Sequence, residues 1–316
     1  MSFVRFYGIF ACLLLLISEA LLFSGNEFVG IWFYAFAWWP YIFFVDWLVK
    51  RKTGNSLIID RTREFIALIP WSVFIWLIFE WFNLYLKNWH YVNIIPELSW
   101  RWLGYFICYG TVLPGLFETY ELILAYGIIK KGQVPRLNDA RLAYPWFMLL
   151  GILFLILPVA YPLYFFPLVW GSFIFLLEPI NHALGAPSLL REWEKGSFQK
   201  FYALLFSGLI CGFLWEFWNY WAISKWIYTV PFVGDIKLFE MPVLGFLGFP
   251  PFTVECYVMM NFINIFRGGN TWEKDTPKPE VSFKVPTWIW VALHLAFYAF
   301  VFHQIDMHTV KTFLLQ

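Results

Sequence analysis

Four glutamates in strongly apolar stretches are the residues of this sequence best suited to acid–base chemistry: Glu80, Glu118, Glu216 and Glu255. A carboxyl group in hydrocarbon is costly unless it is paired, protonated or in contact with water, so it normally faces the interior of a helix bundle. Burial favours the neutral acid, and a neutral buried carboxyl can serve as a general acid. We therefore predict that these four glutamates are catalytic residues of one shared central site.

The four glutamates belong to two copies of one pattern. The segment FEWFN at 79–83 corresponds to WEFWN at 215–219, and PGLFETY at 114–120 corresponds to PFTVECY at 251–257. The offset is 136 or 137 residues, and both copies keep the same order. The sequence therefore predicts an internal repeat.

Amide and aromatic side chains accompany the glutamates in both copies. The predicted substrate-binding residues are Asn83, Asn219, Tyr120, Tyr257, Trp89, Trp226, Trp76 and Trp215. An asparagine three residues after a glutamate shares its helix face. Aromatic faces stabilise positive charge and also suit a flat, apolar polyene or isoprenoid. The pattern supports an alternative equally well, in which hydrogen bonds from these side chains hold helices together in lipid.

The composition is that of a membrane protein. The chain has 316 residues, of which 61% are hydrophobic, 24% aromatic and 14% charged. An ordinary soluble domain is about half apolar and about a quarter charged, so this chain lacks the polar surface that a soluble enzyme needs. The formal net charge of +1 excludes the basic surface of a nucleic-acid-binding protein.

Apolar stretches of about 20 residues predict about nine transmembrane helices. The predicted spans are 4–23, 28–49, 65–87, 100–129, 144–161, 163–184, 201–221, 243–266 and 286–305. Pro114-Gly115 predicts a kink in the fourth span, and Pro250-Pro251 predicts a break in the eighth. With nine spans, 17 basic residues flank one side of the membrane and 5 the other. This bias predicts a bacterial inner (cytoplasmic) membrane protein with its N-terminus inside and its C-terminus outside.

The predicted fold class is an all-α polytopic membrane helix bundle. Residues 1–142 form the first four-helix repeat and 143–266 the second, followed by an inner-side polar linker at 267–285 and a C-terminal transmembrane helix at 286–316. Because four is an even number, both repeats have the same orientation, and their pseudo-twofold axis lies along the membrane normal.

Two further acidic residues, Asp46 and Glu178, correspond at an offset of 132 residues. They lie near the ends of predicted spans, and we expect them to form structural ion pairs with Arg51 or Arg191. Glu178 and His182 lie one helical turn apart, which is half of a metal site, but the first copy offers no counterpart. The sequence has no nucleotide-binding loop and no haem motif, so we expect no metal and no cofactor.

The order Trp-Glu-Phe-x-x-Tyr, then Trp-x-Tyr, then a proline followed by an acidic residue resembles the lycopene cyclase domain of carotenoid pathways. The resemblance covers roughly 44–125 and 176–262. It implies a small helical unit present in two copies, and proton-initiated cyclisation of a polyene end group. It also implies that Glu118 and Glu255 are the acids after the proline, with Glu80 and Glu216 on the preceding helix.

Three functions fit the sequence. The first is an integral membrane enzyme that acts on a lipid-soluble isoprenoid or polyene by carboxylic-acid proton transfer, like a carotenoid cyclase of the isomerase or lyase class. The alternatives are a proton- or cation-coupled membrane transporter or channel, and a non-catalytic membrane subunit of a larger complex. The expected ligand is a membrane lipid or isoprenoid, no nucleic acid is expected, and the sequence identifies no protein partner.

Overall fold

The computed structural model describes residues 3–276 and 278–314, with side chains from residue 6 onward. Within these residues the chain is about 70% helical, with little sheet. The outermost residues of the predicted first and last domains lie outside the described residues.

The helices of the described chain follow one another with short connections. In the first half they are α1 (Phe3–Phe23), α2 (Glu27–Ile31), α3 (Phe33–Thr53), α4 (Leu57–Asp60), α5 (Thr62–Leu86), α6 (Leu98–Tyr109) and α7 (Val112–Ala125). In the second half they are α8 (Tyr144–Ala160), α9 (Pro162–Phe165), α10 (Ser172–Ala183), α11 (Leu189–Glu194), α12 (Gln199–Trp221), α13 (Phe249–Phe266) and α14 (Thr287–His308). Short 3-10 helices cover Ala140–Ala143, Phe166–Gly171 and Val243–Gly248.

Seven helical stretches of the described chain are long and apolar enough to cross a membrane. They are Phe6–Phe23, Thr62–Leu86, Ala140–Ala160, Pro162–Ala183, Gln199–Trp221, Val243–Phe266 and Thr287–His308. These confirm a helical membrane architecture and match seven of the predicted spans. The predicted spans 28–49 and 100–129 are not among them, because the basic end of α3 lowers its hydropathy and the second is divided into two shorter helices.

The break in the predicted span 100–129 lies at Gly110 and Thr111, before the predicted kink at Pro114. Ser72 of α5 stabilises this break, because its hydroxyl donates to the Tyr109 carbonyl at 2.6 Å and accepts from the Leu113 amide at 3.0 Å. A side chain of a neighbouring helix therefore satisfies backbone groups that the interrupted helix leaves free.

The predicted break of the eighth span into two half-helices is not present, because Val243–Phe266 is one continuous helical stretch. A 3-10 segment at Val243–Gly248 leads into α13, and Pro250 and Pro251 occupy the first turn of that helix. Proline fits the first turn, where its missing N–H has no helical partner in any case.

The buried centre of the bundle lies where α3, α5, α7, α12 and α13 meet. α7 packs against both α3 and α12, and α12 also packs along α13. α1 packs against α3 and α8 against α10, while α14 packs against α5. This arrangement places α1, α8 and α14 at the periphery of the bundle.

A small antiparallel sheet covers one end of the bundle, which we call the strand side. It pairs β1 (Trp89–Val92) with β2 (Lys225–Tyr228). The C-terminal segment runs beside β1, since the Tyr91 amide donates to the Thr309 carbonyl at 3.0 Å. The remaining strands, β3 (Lys237–Leu238) and β4 (Met241–Pro242), form a short hairpin nearby.

The predicted polar linker closes the opposite end, which we call the linker side. Trp272 is fully buried and stacks on a phenylalanine ring of α7 with ring centroids 4.1 Å apart. Glu273 accepts hydrogen bonds from Tyr120 at 3.0 Å and Tyr257 at 3.1 Å, and it pairs with Lys200 at 2.7 Å. The segment therefore forms part of the core.

Candidate functional site

Glu80 of α5 lies at the centre of a hydrogen-bond cluster near the strand side. Its Oε1 atom accepts from Trp76 Nε1 at 3.0 Å, from Trp89 Nε1 at 3.2 Å and from the Tyr91 hydroxyl at 2.5 Å. Tyr109 of α6 donates in turn to the Tyr91 hydroxyl at 3.0 Å. Glu80 is fully buried, and its Oε2 atom has no hydrogen-bond partner among the described residues.

Glu216 of α12 has a related environment. Its Oε1 atom accepts from the Tyr228 hydroxyl of β2 at 2.6 Å, and Trp226 lies beside it. It too is fully buried, and within the described chain its Oε2 atom has no partner. In each of these carboxyl groups Oε1 accepts the hydrogen bonds, and Oε2 has no partner among the described residues.

The two tyrosines that contact these carboxyl groups are held in their hydroxyl form. Burial, together with Glu80 for Tyr91 and Glu216 for Tyr228, raises the pKa of both phenols well above the ordinary value. Each hydroxyl is therefore a hydrogen-bond donor and can pass a proton when it gains one from its neighbour.

Asn83 and Asn219 attach each strand to the helix before it. The Asn83 amide donates to the Trp89 carbonyl at 2.9 Å and accepts from the Trp89 amide at 3.2 Å. The Asn219 amide forms the same two bonds with Trp226, at 2.9 and 3.0 Å. These contacts place the two indoles, and the tyrosine two residues later, against the glutamates.

Two aromatic cavities lie on either side of a shared wall. Cavity A has a volume of about 80 Å³ and lies between Trp170, Phe249 and Phe252. Cavity B has a volume of about 100 Å³ and lies next to Tyr34 and Tyr105. The residues that line both cavities are Trp76, Tyr91, Trp215 and Trp226. The Trp76 and Trp215 rings lie 5.1 Å apart and form the centre of this wall.

Glu80 and Glu216 stand behind the cavity walls and do not line them. The Tyr91 hydroxyl and the Trp76 and Trp89 indoles separate Glu80 from the space, and Tyr228 does the same for Glu216. The arrangement can therefore exchange a proton between a buried acid and a molecule in the cavity through one tyrosine hydroxyl.

Glu118 lies on the linker side of the bundle and lines neither aromatic cavity. It is fully buried, and its charged neighbours are Asp46, Glu121 and Arg61. Arg61 donates two hydrogen bonds of 2.6 Å to Glu121, so these two groups neutralise each other. Neither carboxyl oxygen of Glu118 has a hydrogen-bond partner among the described residues.

Glu255 also lies apart from both cavities, where it caps a helix. Its Oε1 atom accepts from the Phe173 amide at 2.7 Å and from the Ser172 hydroxyl at 3.2 Å, in the first turn of α10. A carboxylate at this position satisfies free amides and interacts well with the helix dipole. Glu80 and Glu216 therefore lie beside the aromatic cavities, whereas Glu118 and Glu255 each lie elsewhere, and the four do not form one shared site.

The remaining predicted substrate-binding residues fall into two groups, one at cavity A and one at the linker side. Trp76, Trp89, Trp215 and Trp226 line cavity A, whereas the Tyr120 and Tyr257 hydroxyls donate to Glu273 at the linker side. Both tyrosine side chains are almost completely buried at that end of the bundle.

Asp46 and Glu178 do not form the predicted ion pairs within the described chain. Asp46 accepts from the Ser56 hydroxyl at 2.9 Å and from the amide two residues later at 2.8 Å. Glu178 accepts from the Ser188 hydroxyl at 2.6 Å and from the amide two residues later at 2.8 Å. Both carboxylates fix the start of a short helix, because their serine partner is its N-cap residue.

The sequence-based prediction missed the tyrosines of the site, Tyr91, Tyr109 and Tyr228, and the indole of Trp170 in cavity A. The repeated Trp-x-Tyr motif at 89–91 and 226–228 was the available signal for two of them. Among the described residues, no group of three or more His, Cys, Asp or Glu side chains could hold a metal ion. No protein-family model, curated protein or solved structure matches the chain.

Proposed function

We propose that the protein is an integral membrane enzyme that acts on a lipid-soluble isoprenoid or polyene by proton transfer from a carboxylic acid. One observation supports this most: two buried carboxyl groups, Glu80 and Glu216, each contact a tyrosine that lines an aromatic cavity. Cavity A, at about 80 Å³, is smaller than the usual small-molecule site of roughly 300–1,000 Å³, so only part of a polyene end group fits there. The resemblance to lycopene cyclase domains supports the same class of reaction.

The proposed step is an isomerisation in which every proton is accounted for. The Tyr91 hydroxyl, which donates to Glu80 in the structure, turns toward a terminal carbon–carbon double bond, gives that bond its proton and takes the proton of Glu80 in exchange. The resulting carbocation faces the rings of Trp76 and Trp215, whose negative faces stabilise it. A new carbon–carbon bond closes the ring, and loss of a proton from a neighbouring carbon restores the double bond and the acid.

The acids in this proposal differ in part from those that the family resemblance implies. Glu118 and Glu255 remain predicted proton donors, but their carboxyl groups lie away from the aromatic cavities. Glu80 and Glu216 are therefore the better candidates, since only a tyrosine separates each of them from the space.

We further propose that two four-helix repeats related by a pseudo-twofold axis along the membrane normal, plus α14, make up the bundle. The strand register supports this, because Trp89 pairs with Tyr228 and Tyr91 pairs with Trp226, which is the reciprocal pairing that a twofold axis produces. The matching bonds of Asp46 and Glu178 support it as well. α3 and the pair α6–α7 would complete the nine spans, in a bacterial inner membrane with the linker side facing inward.

The transporter alternative requires a path that opens toward both sides. In this conformation Trp272 and Glu273 fill the linker side, and both aromatic cavities lie toward the strand side. The geometry therefore favours an enzyme over a transporter.

Organic extraction of the purified protein, followed by absorbance and mass spectrometry, tests the proposal. We expect a polyene or isoprenoid to co-purify with the wild-type protein. The matched control is Trp215→Ala, which removes the shared wall and should lower the yield of bound lipid. Extracts that contain only bulk phospholipid from both proteins would contradict the proposal.

A further inference from the structure

A polar pocket lies at the linker side, where α8 begins and α10 ends. It has a volume of about 680 Å³, which is within the usual range for small-molecule sites, roughly 300–1,000 Å³. The charged residues that line it are Asp139, Arg141, Arg191, Glu194 and Glu280. None of its lining residues lines either aromatic cavity, so this pocket is separate from the site of the proposed function.

One wall of this pocket is a network of hydrogen bonds that joins three helices. The His182 ring at the end of α10 is bonded to the Tyr144 hydroxyl of α8 at 2.6 Å and to the Glu194 carboxyl of α11 at 3.0 Å. Glu194 also accepts from the Ala140 amide at 3.0 Å. Asp139 accepts from the amide two residues later at 2.9 Å. The fold therefore holds this wall in place, and two of the three acids already have partners.

The pocket keeps both positive and negative groups available to a ligand. Arg191 donates to the His182 carbonyl at 2.7 Å and to a second carbonyl at 3.2 Å, which leaves three of its five N–H donors. The Arg141 guanidinium and the Glu280 carboxylate have no hydrogen-bond or ion-pair partner among the described residues. The pocket can therefore bind an anion through its arginines and a cation through Glu280.

The position of the pocket along the helices is that of a lipid headgroup. The stretches Ala140–Ala160 and Pro162–Ala183 are long and apolar enough to cross a membrane, and the pocket lies where the first begins and the second ends. Beside it, Leu142 and Trp146 are 76% and 68% exposed. Tryptophan is enriched at the boundary between membrane and water. The pocket therefore has apolar side chains next to it that suit the acyl chains of a lipid.

We infer that this pocket binds the headgroup of a phospholipid that carries a phosphate and a primary ammonium, as phosphatidylethanolamine does. A guanidinium group binds phosphate through two parallel hydrogen bonds, and Glu280 would accept from the ammonium. Phosphatidylcholine has the same phosphate, but its quaternary nitrogen carries no hydrogen to donate. Phosphatidylglycerol has no ammonium and would leave Glu280 without a partner. The inference goes beyond the proposed function and does not depend on it.

The experiment uses the full-length protein in detergent with phosphatidylethanolamine, phosphatidylcholine and phosphatidylglycerol that have identical acyl chains. Native mass spectrometry measures the binding of each lipid. We expect the wild type to bind phosphatidylethanolamine about tenfold more tightly than the other two, since only this lipid adds a charge-assisted hydrogen bond. Glu280→Gln should remove this preference, and Arg141→Gln should weaken the binding of all three lipids. The matched control is Lys195→Gln, whose exposed side chain lies outside the pocket and should leave binding unchanged.

Equal binding of the three lipids by the wild type overturns the inference, as does an unchanged preference in Glu280→Gln. Free glycerophosphoethanolamine, which has the same head but no acyl chains, distinguishes a lipid from a soluble ligand. We expect no displacement of phosphatidylethanolamine at equal concentration, and displacement would assign the pocket to a soluble compound instead. Neither variant alters a residue of the aromatic cavities, so the lipid preference can be confirmed in a protein that converts no polyene.

Discussion

Two replacements of Glu80 distinguish a catalytic acid from a structural hydrogen-bond acceptor. Glu80→Gln keeps the Oε1 acceptor that Trp76, Trp89 and Tyr91 use, and it places an amide nitrogen where Oε2 has no partner in the described chain. Glu80→Ala removes the acceptor from all three donors. The account predicts that both variants lose proton transfer and that only the second loses much stability.

The magnitudes follow from the number of hydrogen bonds. Each bond inside a membrane bundle contributes about 0.6–1 kcal/mol, so three orphaned donors in Glu80→Ala should cost about 2–3 kcal/mol. Glu80→Gln should cost about 1 kcal/mol or less, since it adds one unpaired amide group. Loss of a general acid should lower the turnover of a polyene in both variants by about 10²- to 10⁴-fold.

The assay combines unfolding in a denaturing detergent with conversion of a polyene that has isoprenoid end groups. The same two measurements, unfolding and turnover, are made on Glu216→Gln to test the second acid. Full turnover in Glu80→Gln would refute a catalytic role for Glu80. Equal destabilisation by glutamine and alanine would refute the assignment of Oε1 as the acceptor that holds the cluster together.

Trp272→Ala should lower the free energy of unfolding by about 3–5 kcal/mol, because this indole is fully buried against α7. A loss below about 1 kcal/mol would show that the segment 267–285 is a linker only. Asn83→Ala should destabilise the protein, since the side chain holds β1 on α5, and unchanged stability with weaker substrate binding would instead support the predicted contact with substrate. Burial acts to raise the pKa of Asp60, but its hydrogen bond to Lys50 outweighs this and holds the pKa below its ordinary value of 3.8. The Asp60 carboxylate therefore stabilises the folded protein at pH values above its ordinary pKa. This stabilisation disappears as the pH falls through the lower pKa of the folded state. Unfolding of Asp60→Asn against wild type should show a difference of up to about 1 kcal/mol near neutral pH that shrinks in acid, and a difference that grows in acid would contradict the pairing.

The sequence predicted the parts of the fold that depend on composition and local pattern. Membrane-length apolar stretches identified the helices that are long and apolar enough to span, since hydropathy and length alone determine that property. The division at Gly110 could not be assigned in this way, because contacts with a neighbouring helix stabilise it. Ser72 shows the reason: its bonds to Tyr109 and Leu113 depend on a contact between helices.

The sequence pointed to the candidate site residues more successfully than it showed which of them lie together. Glu80, Glu216 and the tryptophans around them were predicted from two similar sequence segments, and the structure places these tryptophans beside the two glutamates. The pattern did not reveal that Glu118 and Glu255 lie away from the aromatic cavities. The spacing of residues along a helix determines which face they share, but it does not determine which other helix packs against that face. Trp272 and Glu273 were missed for a related reason, since a polar segment gives no signal that one of its side chains fills the core.

Incorporation of deuterium from the solvent tests the central claim most directly. A polyene with isoprenoid end groups is incubated with an excess of protein that has first been equilibrated in D₂O, and the product is analysed by mass spectrometry. The account predicts one deuterium for each ring formed, and loss of this product when Glu80→Gln is combined with Glu216→Gln. A cyclised product without deuterium would contradict proton-initiated catalysis, and an unchanged polyene together with proton flux in liposomes would establish the transporter instead.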